Sequence, residues 1–441
     1  MKTEPASNAS QSASATSSIP RRDFIKTSAG LALGAAIGTS RPLTAAERTR
    51  SIGANSRIRI AQIGCGSRGK GAHLEQGILP HLAATNFEVV AIADPWKKSR
   101  DGTNASIKKA FGREAKAFIS YRDLLAMDGI DAVMIASPDH QHTTHLEAAA
   151  KAGKHIYVEK PLATELDKLL RAYDAAKVAQ KAGSIIQVGT QLRSFPGIVG
   201  AREVMKSGVL GKISRIEEGR NGEKPYWYQY LGRGVAEADV DWKEFLGDRK
   251  MRPFDADQYG AWYGYYDFCQ GPIPQWGAHF LDTAHFIMDC GIPTSCVCIG
   301  GSLTWNDEHK FTVPDCVQAT WLYPEGFMLT SSNNFGNSSG NVRKFFGTKG
   351  TLSIDNWNAP TYSAEGGPKR DGQIRGKQDV KLIQRPDHFL NWLQCMRSGE
   401  TPHASIDAGF QHAIAVLMAV ISYDTGRKTV YDPKKRTIRP A

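Results

Sequence analysis

Short apolar runs alternate with longer amphipathic segments through the first part of the chain. The runs combine β-branched and aromatic residues in strand-like patterns, and they lie at residues 57–63, 88–93, 132–136, 156–158 and 184–188. The stretches between them have the charged, amphipathic composition of helices after residue 69, at 143–152 and at 162–182. This order predicts an α/β fold with a doubly wound, mostly parallel sheet over residues 57–188.

The length of the chain adds a second domain to this prediction. At 441 residues the chain exceeds what one hydrophobic core usually holds. We therefore divide it into a leader at 1–46, a first domain at 57–188 and a second domain at 189–441. The hydrophobic fraction of 41% and the charged fraction of 22% are those of a soluble globular protein, so both domains are expected to have packed cores.

The formal net charge of +11 favours anionic ligands or surfaces in general. However, no basic run with interleaved aromatic residues occurs, and no nucleic-acid-binding motif is found. We therefore expect a solvated basic surface and no nucleic-acid partner. The seven cysteines form no C-x-x-C pair, and no set of His, Cys, Asp or Glu has zinc-like spacing. Neither a metal site nor an obligatory disulfide is expected.

The leader carries a paired arginine, Arg21 and Arg22, before a short Gly/Ala-rich apolar segment at 29–38. This order resembles a twin-arginine export signal, and the apolar segment is too short to span a bilayer. It predicts that the twin-arginine export machinery carries the folded protein to the periplasm or the exterior. No lipid-accepting cysteine follows the segment, so no membrane anchor is expected. The alternative is an ordinary amphipathic N-terminal helix.

A glycine loop follows the first predicted strand directly. It reads Gly64-Cys65-Gly66-Ser67-Arg68-Gly69, which has the G-x-G-x-x-G spacing of a dinucleotide-binding loop. Gly64 would allow the tight turn, Gly66 would let a pyrophosphate approach the backbone, and Gly69 would let the helix pack closely on the strand. Because the loop lies between a strand and a helix, the context supports a nicotinamide dinucleotide site.

The end of the second predicted strand adds an acidic residue, Asp94. A carboxylate at this position can bind the ribose hydroxyls of NAD. The alternative is a turn or helix-capping role before Pro95. Lys97 and Lys98 follow closely, so the sequence leaves NADP open beside NAD as the cofactor.

The strand at 156–158 ends in two charged residues, Glu159 and Lys160, and Pro161 then stops strand pairing. In an open α/β sheet, ligands bind at the carboxyl ends of the strands. Lys160 is therefore a candidate to reach into a site, with Glu159 as a partner that tunes or orients it. The alternative is an ion pair at the strand end without chemistry, because structural ion pairs also perturb ionisation.

Three further motifs accompany the glycine loop: Ser137-Pro138-Asp139-His140-x-His142, Gly153-Lys154-His155 and Glu159-Lys160-Pro161. Together the four motifs resemble the Gfo/Idh/MocA oxidoreductase family, which includes glucose–fructose oxidoreductase and inositol 2-dehydrogenase. The resemblance implies a Rossmann first domain and a C-terminal α+β domain with a large open, mainly antiparallel sheet. With the glycines and Asp94, it implies cofactor contacts from Ser67, Arg68, Ser137, Pro138, His142, Glu159 and Lys160.

The same resemblance assigns the chemistry. It implies that Lys160 hydrogen-bonds the reacting hydroxyl or carbonyl and that His279 acts as general acid and base. Many relatives carry an aspartate four residues before this histidine, where this chain has Gln275. Glutamine cannot ionise, but it can orient the imidazole or a sugar hydroxyl. Asp282 is a further candidate to serve His279, whereas we interpret His285 as structural.

Tyrosine and tryptophan are frequent between residues 219 and 268. Aromatic faces stack on the apolar faces of sugar rings, and their polar tips bind hydroxyls. Tyr226, Trp262 and Tyr263 are our candidates for substrate contact. The alternative is packing between the sheet and its loops or at a subunit interface, and we expect most of these aromatic residues to be structural.

These features predict an exported NAD(P)-dependent oxidoreductase with a tightly bound nicotinamide cofactor. Its substrate would be a small carbohydrate, namely a sugar, a sugar derivative or a polyol, oxidised or reduced at a CH–OH group. One alternative is an NAD-dependent glycosidase that oxidises the sugar transiently, eliminates the aglycone, adds water and reduces the product. A second alternative is a non-catalytic sugar-binding protein. We expect a homo-oligomer, either a dimer or a tetramer.

Overall fold

The computed structural model describes residues 56–368 and 373–441. The predicted leader at 1–46, with its paired arginines, lies outside the described residues. The first six strands are β1 (Ile58–Ile63), β2 (Phe87–Ala93), β3 (Lys116–Phe118), β4 (Ala132–Ile135), β5 (His155–Val158) and β6 (Ile186–Val188). They form one parallel sheet in the order β3-β2-β1-β4-β5-β6. The predicted doubly wound parallel sheet is therefore confirmed.

Helices connect these strands. They are α1 (Arg68–Ile78, with wide π-type turns), α2 (Leu82–Thr85), α3 (Lys97–Phe111), α4 (Tyr121–Ala126), α5 (His142–Lys151) and α6 (Leu166–Lys181). The helix predicted at 162–182 begins only at Leu166, because the chain leaves β5 through a bent segment and Glu165 is still extended. Strand order reverses between β1 and β4, so the crevice outside their carboxyl ends is the expected ligand site.

The second sheet has ten strands. They are β7 (Ile213–Gly222), β8 (Ser295–Gly301), β9 (Cys316–Leu322), β10 (Met328–Phe335), β11 (Val342–Gly347), β12 (Gly350–Ser353), β13 (Thr361–Ala364), β14 (Gln378–Asp379), β15 (Thr429–Asp432) and β16 (Thr437–Pro440). Their order is β14-β13-β12-β11-β7-β10-β9-β8-β15-β16. β7 and β10 pair in parallel, whereas the other neighbours are antiparallel. The predicted large, mainly antiparallel sheet is confirmed.

Helices also accompany the second sheet. They are α7 (Pro196–Lys206), α8 (Trp242–Leu246), α9 (Ala256–Gly260), α10 (Ile273–Gly277, with π-type turns), α11 (Ala278–Met288), α12 (His388–Ser398) and α13 (Ile406–Thr425). In the described part of the chain, α13 is long and apolar enough to cross a membrane, but 78% of its most apolar stretch is buried inside the protein. Its composition is therefore that of a core helix, and it packs against α11 and β8.

The chain returns to the first sheet near its end. On α12, Phe389, Trp392 and Met396 are buried in the same cluster as Ile60 of β1 and Tyr157 of β5. The ring of Phe389 stacks on that of Tyr157 at 4.6 Å between centroids. One face of the parallel sheet is thus covered by a helix from the far end of the sequence, and both sheets belong to a single compact unit.

Candidate functional site

Each of the three glycines in the loop has a different steric environment. Gly64 has φ +84°, and a Cβ there would lie 2.5 Å from the backbone of Ala136. At Gly69 a Cβ would lie 1.9 Å from the carbonyl oxygen of Gly64, so this glycine lets α1 start against the loop. At Gly66 a Cβ would meet nothing within 4 Å. The backbone of Gly66 thus faces open space, where a ligand can approach it.

Asp94 ties the glycine loop to the turn after β2. Its Oδ2 accepts a hydrogen bond from the Cys65 backbone N–H at 2.7 Å, and its Oδ1 accepts one from Trp96 N–H at 2.8 Å. Burial raises the pKa of Asp94, although both N–H donors oppose this shift. The turn role considered from the sequence is therefore present, and the carboxylate also lines the cleft. Ribose binding by Asp94 stays a prediction.

An open cleft lies at the carboxyl ends of β1, β2 and β4. Gly64, Gly66, Ser67, Arg68 and Asp94 line one side. Ser137 and Pro138 line it from the end of β4, and aromatic residues of the second domain close it from the opposite side, namely Tyr230, Tyr259, Trp262 and Tyr263. The cleft has the position expected for a dinucleotide in an α/β sheet.

His142 lies beneath this region as a tie between backbone segments. Its Nε2 is 2.7 Å from the Ser137 carbonyl oxygen, and its Nδ1 is 2.7 Å from the Pro161 carbonyl oxygen. Each ring nitrogen thus lies at hydrogen-bond distance from a backbone carbonyl, and a neutral imidazole can donate to one of the two. The imidazole joins the loop after β4 to the segment after β5, and its predicted contact with the cofactor stays a prediction.

Glu159 makes its side-chain contacts with Arg68 and His73, while its charge also raises the pKa of Lys160. Its carboxylate lies 3.0 Å from His73 Nε2 and 3.3 Å from Arg68 Nε. Burial alone would raise the pKa of Glu159, but Arg68 and His73 hold it well below its ordinary value. The Glu159 carboxylate also accepts a hydrogen bond from the backbone N–H of Lys160 at 3.2 Å. Consecutive side chains at a strand end point to opposite sides, so Glu159 anchors Arg68 at the cleft instead of pairing with the lysine ammonium.

Lys160 is buried and reaches into the second domain. Its Nζ donates to the Gln275 backbone oxygen at 2.7 Å and to Gln275 Oε1 at 3.1 Å. The amide nitrogen of Gln275 in turn donates to a carboxylate oxygen of Asp139. The sequence left Gln275 to orient either the imidazole of His279 or a sugar hydroxyl. Its amide instead bridges Lys160 and Asp139 from the wide-turn helix α10. Because Gln275 also lines the cavity, contact with a sugar hydroxyl stays a prediction.

Asp139 belongs to the Ser137-Pro138-Asp139-His140 motif, but the sequence did not predict its contact with the Gln275 amide. Burial raises its pKa, which Lys160 partly offsets, and the Cys269 thiol is also hydrogen-bonded to it. Burial likewise lowers the pKa of Lys160, which Glu159 and Asp139 partly offset. The two groups form a buried acid–base pair joined by the Gln275 amide. Only the fold could reveal this arrangement, since Asp139, Lys160 and Gln275 come from three separate segments of the chain.

His279 faces the same cavity as Lys160. Burial lowers its pKa far below the ordinary value, and the positive charge of Lys160 adds to this effect. The imidazole is therefore neutral near pH 7 and able to accept a proton. Its Nδ1 is buried without a hydrogen-bond partner among residues 56–368 and 373–441.

Asp282 and His285, which lie on the same helix α11, do not hydrogen-bond to the His279 imidazole. Asp282 lies 2.7 Å from Arg193 Nε and 3.4 Å from His412 Nδ1. The suggested role of Asp282 as a partner of His279 is therefore corrected to a structural ion pair with Arg193. His285 lies 2.7 Å from the hydroxyl of Tyr323 and is buried, as expected for a structural residue.

The aromatic candidates line the cavity around Lys160. This cavity encloses about 1250 Å³ and joins the nucleotide cleft at Ser67, Arg68 and Ser137. Tyr226, Trp262 and Tyr263 all face it, and the rings of Trp262 and Tyr263 stack at 3.7 Å between centroids. Other aromatic residues of this region, such as Trp227, Trp242 and Phe268, are core residues. The mixture of lining and packing residues expected from the sequence is therefore present.

Comparison with known proteins identifies the first domain. Residues 58–190 match the family model GFO_IDH_MocA, an oxidoreductase family with an NAD-binding Rossmann fold. Inositol 2-dehydrogenase 3 of Saccharopolyspora erythraea is 32% identical over 154 residues, which cover 35% of this chain and 42% of that protein. The 2,7-anhydro-N-acetylneuraminate hydratase of Escherichia coli is 26% identical over 229 residues, which cover 51% and 52%. The chain thus spans about half the length of these relatives.

A solved structure extends the likeness of fold to the second domain. Levoglucosan dehydrogenase in complex with NADH superposes with a TM-score of 0.64 at 18% identity, covering 85% of this chain and 98% of that one. At this identity the likeness concerns the fold alone. The NAD-binding Rossmann fold expected from the glycine loop is confirmed for residues 58–190, which match the oxidoreductase family model.

Proposed function

We propose that this protein is an NAD(P)-dependent oxidoreductase that transfers hydride between a bound nicotinamide and a CH–OH group of a sugar, sugar derivative or polyol. The observation that carries the proposal is the position of Lys160. Its ammonium lies where the nucleotide cleft continues into the aromatic cavity, and His279 lines that same cavity. The relatives compared above act, by their names, on inositol, levoglucosan or a sialic acid derivative.

The residues present fit a dinucleotide. The open space at Gly66 and the steric requirement at Gly64 match a pyrophosphate above the loop, and Asp94 lies at the edge where a ribose would be placed. When bound, the nicotinamide supplies the hydride acceptor or donor. Arg68, held by Glu159, adds a positive charge beside the phosphates. The mass of the nucleotide released on denaturation distinguishes NAD from NADP.

The chain's own groups divide the proton chemistry between them. In the oxidation direction, His279 accepts the hydroxyl proton, because its imidazole is neutral near pH 7. Lys160 donates a hydrogen bond to the same oxygen and stabilises the negative charge that develops there. Gln275 and Asp139 hold the ammonium in place. For reduction of a carbonyl the roles reverse, and Lys160 polarises the oxygen.

Substitution of Lys160 tests this assignment. Lys160→Met keeps the length of the side chain but removes the donor, and turnover should fall by about 10²–10³-fold. Turnover is measured from NADH absorbance with a panel of sugars and polyols. Lys151→Met changes an exposed lysine on α5 and serves as the control. Wild-type turnover in Lys160→Met would disprove the proposed role.

A redox-neutral reaction is the second candidate, because one relative is by name a hydratase and so catalyses no net oxidation. The same site could oxidise a sugar transiently, allow elimination of a leaving group, add water and reduce the product again. Release of free sugar from an aryl glycoside without net change in NADH would favour this reaction. Stoichiometric formation of NADH or of a reduced co-substrate would favour the dehydrogenase.

We also propose that the protein is exported in folded form to the periplasm or the exterior. The paired Arg21 and Arg22 before a short apolar segment support this localisation. In such a compartment no nicotinamide pool is available for exchange, so a tightly retained cofactor regenerated by a second substrate fits the proposal. A folded export route would also allow the cofactor to be loaded in the cytoplasm.

A homo-oligomer remains our proposal for the assembly. The outer face of the second sheet exposes apolar side chains on neighbouring strands, including Val297, Ile299, Leu322 and Met328. Exposed apolar patches of this kind are typical of protein–protein interfaces. Light scattering of the purified protein should give the mass of a dimer or tetramer, and a monomer at micromolar concentration would contradict the proposal.

A further inference from the structure

A third cavity lies behind His279 and has no role in the mechanism above. It encloses about 720 Å³ between α11, β7 and β11, and we call it the arginine chamber. It shares Arg220, Trp276 and His279 with the cavity around Lys160. The remaining lining residues include two cross-strand partners, Glu218 and Arg343, together with Phe195, Phe280 and Trp357. A substrate that contacts His279 can therefore extend into this chamber.

Arg220 is the unusual residue at the entrance. Its guanidinium lies over the ring of Trp276, with 3.6 Å between Cζ and the ring centroid. Among the residues that the structure describes, no carboxylate lies within ion-pair distance of it. A guanidinium that contacts an aromatic ring by its face keeps its N–H edges free to bind a planar anion in bidentate fashion. Arg220 thus offers two or more unused donors at the junction of both cavities.

The charge deeper in the chamber does not neutralise Arg220. Arg343 lies 3.9 Å from Glu218, and Glu218 accepts a hydrogen bond from the Ser331 hydroxyl at 2.7 Å. Glu218 is thus already shared between Arg343 and Ser331. Burial raises the pKa of Glu218 to about 7, so this carboxylate is only partly ionised near neutral pH. Two guanidinium groups therefore face one partly neutral carboxyl, and the chamber keeps a net positive charge.

We propose that the arginine chamber binds the carboxylate of an acidic sugar, with Arg220 as the residue that selects it. This inference rests on the oxidoreductase function proposed above and specifies its substrate class as a uronic acid or a related sugar acid. Trp276 would hold the guanidinium in place, and the carboxylate would accept two N–H bonds from Arg220. A planar carboxylate matches the single free guanidinium fork better than a tetrahedral phosphate, for which sites usually assemble several donors.

Binding to matched sugar pairs tests the proposal. The full chain with its retained nucleotide is titrated by calorimetry with D-glucuronate and D-glucose, and with D-galacturonate and D-galactose. At least one acid should bind about 10- to 100-fold more tightly than its neutral counterpart, the factor expected for hydrogen bonds to a charged group. Equal affinities in both pairs would overturn the proposal, as would tighter binding of glucose 6-phosphate than of glucuronate.

Variants on β7 locate the effect. Arg220→Gln should abolish the preference for the acid, whereas Arg215→Gln, an exposed arginine on the same strand, should keep it. If Arg220→Gln does not fold, Arg220→Lys retains the charge without the fork and should show a reduced preference. An unchanged preference in both Arg220 variants would overturn the assignment.

The same experiments separate this proposal from the proposed function. A uronate that binds through Arg220 but yields no NADH and no reduced product would contradict the oxidoreductase and leave the chamber assignment intact. Oxidation of neutral sugars without preference for acids would do the reverse.

Discussion

Lys160 and Asp139 are linked through one amide, that of Gln275. The glutamine that replaces the aspartate of many relatives does not act on His279 but bridges a buried lysine and a buried carboxylate. Two carboxylates raise the pKa of Lys160, namely Glu159 beside it and Asp139 from the loop after β4. At the scale of single residues, the amide of Gln275 thus joins the lysine to an acidic group on another element.

Asp139→Asn should shift the pH dependence of turnover. Lys160 must be protonated to donate its hydrogen bond, so turnover falls as the pH rises through its pKa. Asp139 raises that pKa, and its removal should move the alkaline limb to lower pH by about one unit. Asparagine can still accept from Gln275, so the fold should persist. Asp128→Asn is the surface control, and an alkaline limb that stays in place would show that Asp139 does not act on Lys160.

At the scale of elements, the glycines in the turn between β1 and α1 are explained by two different requirements. Gly64 and Gly69 are required by the packing of the protein itself, since any Cβ there would collide with backbone atoms. Gly66 has no such requirement, so we attribute its lack of a side chain to the proposed nucleotide. On this proposal, one loop combines two structural glycines with one binding glycine.

Gly66→Ala should fold normally and lose its nucleotide. The added methyl meets no protein atom within 4 Å, so the melting temperature should equal that of the wild type. It would, however, occupy the space that a pyrophosphate needs, and NADH affinity should fall about tenfold or more. NADH fluorescence titration gives the affinity, and Gly102→Ala on α3 is the control because it also meets nothing within 4 Å. Normal NADH affinity would contradict the binding role of Gly66.

α12 is the element that joins the end of the chain to the first sheet. Trp392→Ala removes a fully buried ring that packs against Tyr157, and the free energy of unfolding should fall by about 3–5 kcal/mol. Gln394→Ala, exposed on the same helix, should have little effect. Chemical denaturation measures both variants. A small loss for Trp392→Ala would mean that α12 contributes little to the stability of the first domain.

At the scale of the whole molecule, both domains build the site. The first sheet supplies the glycine loop and Lys160, whereas the second domain supplies Gln275, His279 and the aromatic wall. Helices α11 and α13 pack in a core shared by both sheets, and this fixes the distance between Lys160 and Gln275. A preformed arrangement of this kind is what the proposed export in folded form requires.

Replacement of Arg21 and Arg22 by lysine tests the proposed export of the folded protein. Because the export receptor reads the arginine pair, the variant should remain in the cytoplasm, folded and loaded with nucleotide. Cell fractionation followed by measurement of bound nucleotide checks both points. A control with Arg41→Lys, outside the pair, should be exported normally. Normal export of the double variant would show that the leader uses another route.

The sequence by itself determined the features that depend on neighbouring residues. These are the alternation of strands and helices, the glycine loop and the placement of Lys160 at a strand end. All three follow from local spacing, because the periods of strands and helices depend on neighbouring residues. The resemblance built on these motifs predicted the family model that residues 58–190 match and a nicotinamide cofactor. It also pointed to Gln275 and His279, but it did not predict that the Gln275 amide bridges Lys160 and Asp139.

Only the tertiary structure decided which side chains meet. Gln275 lies 115 residues from Lys160 and 136 residues from Asp139 in sequence, yet its amide contacts both. The same holds for α12 on the first sheet and for Arg220 beside Trp276. Contacts over such separations depend on how two sheets and their helices pack, and no local pattern of residues encodes that packing. The family motifs therefore located the site, whereas the fold determined how its charges are paired.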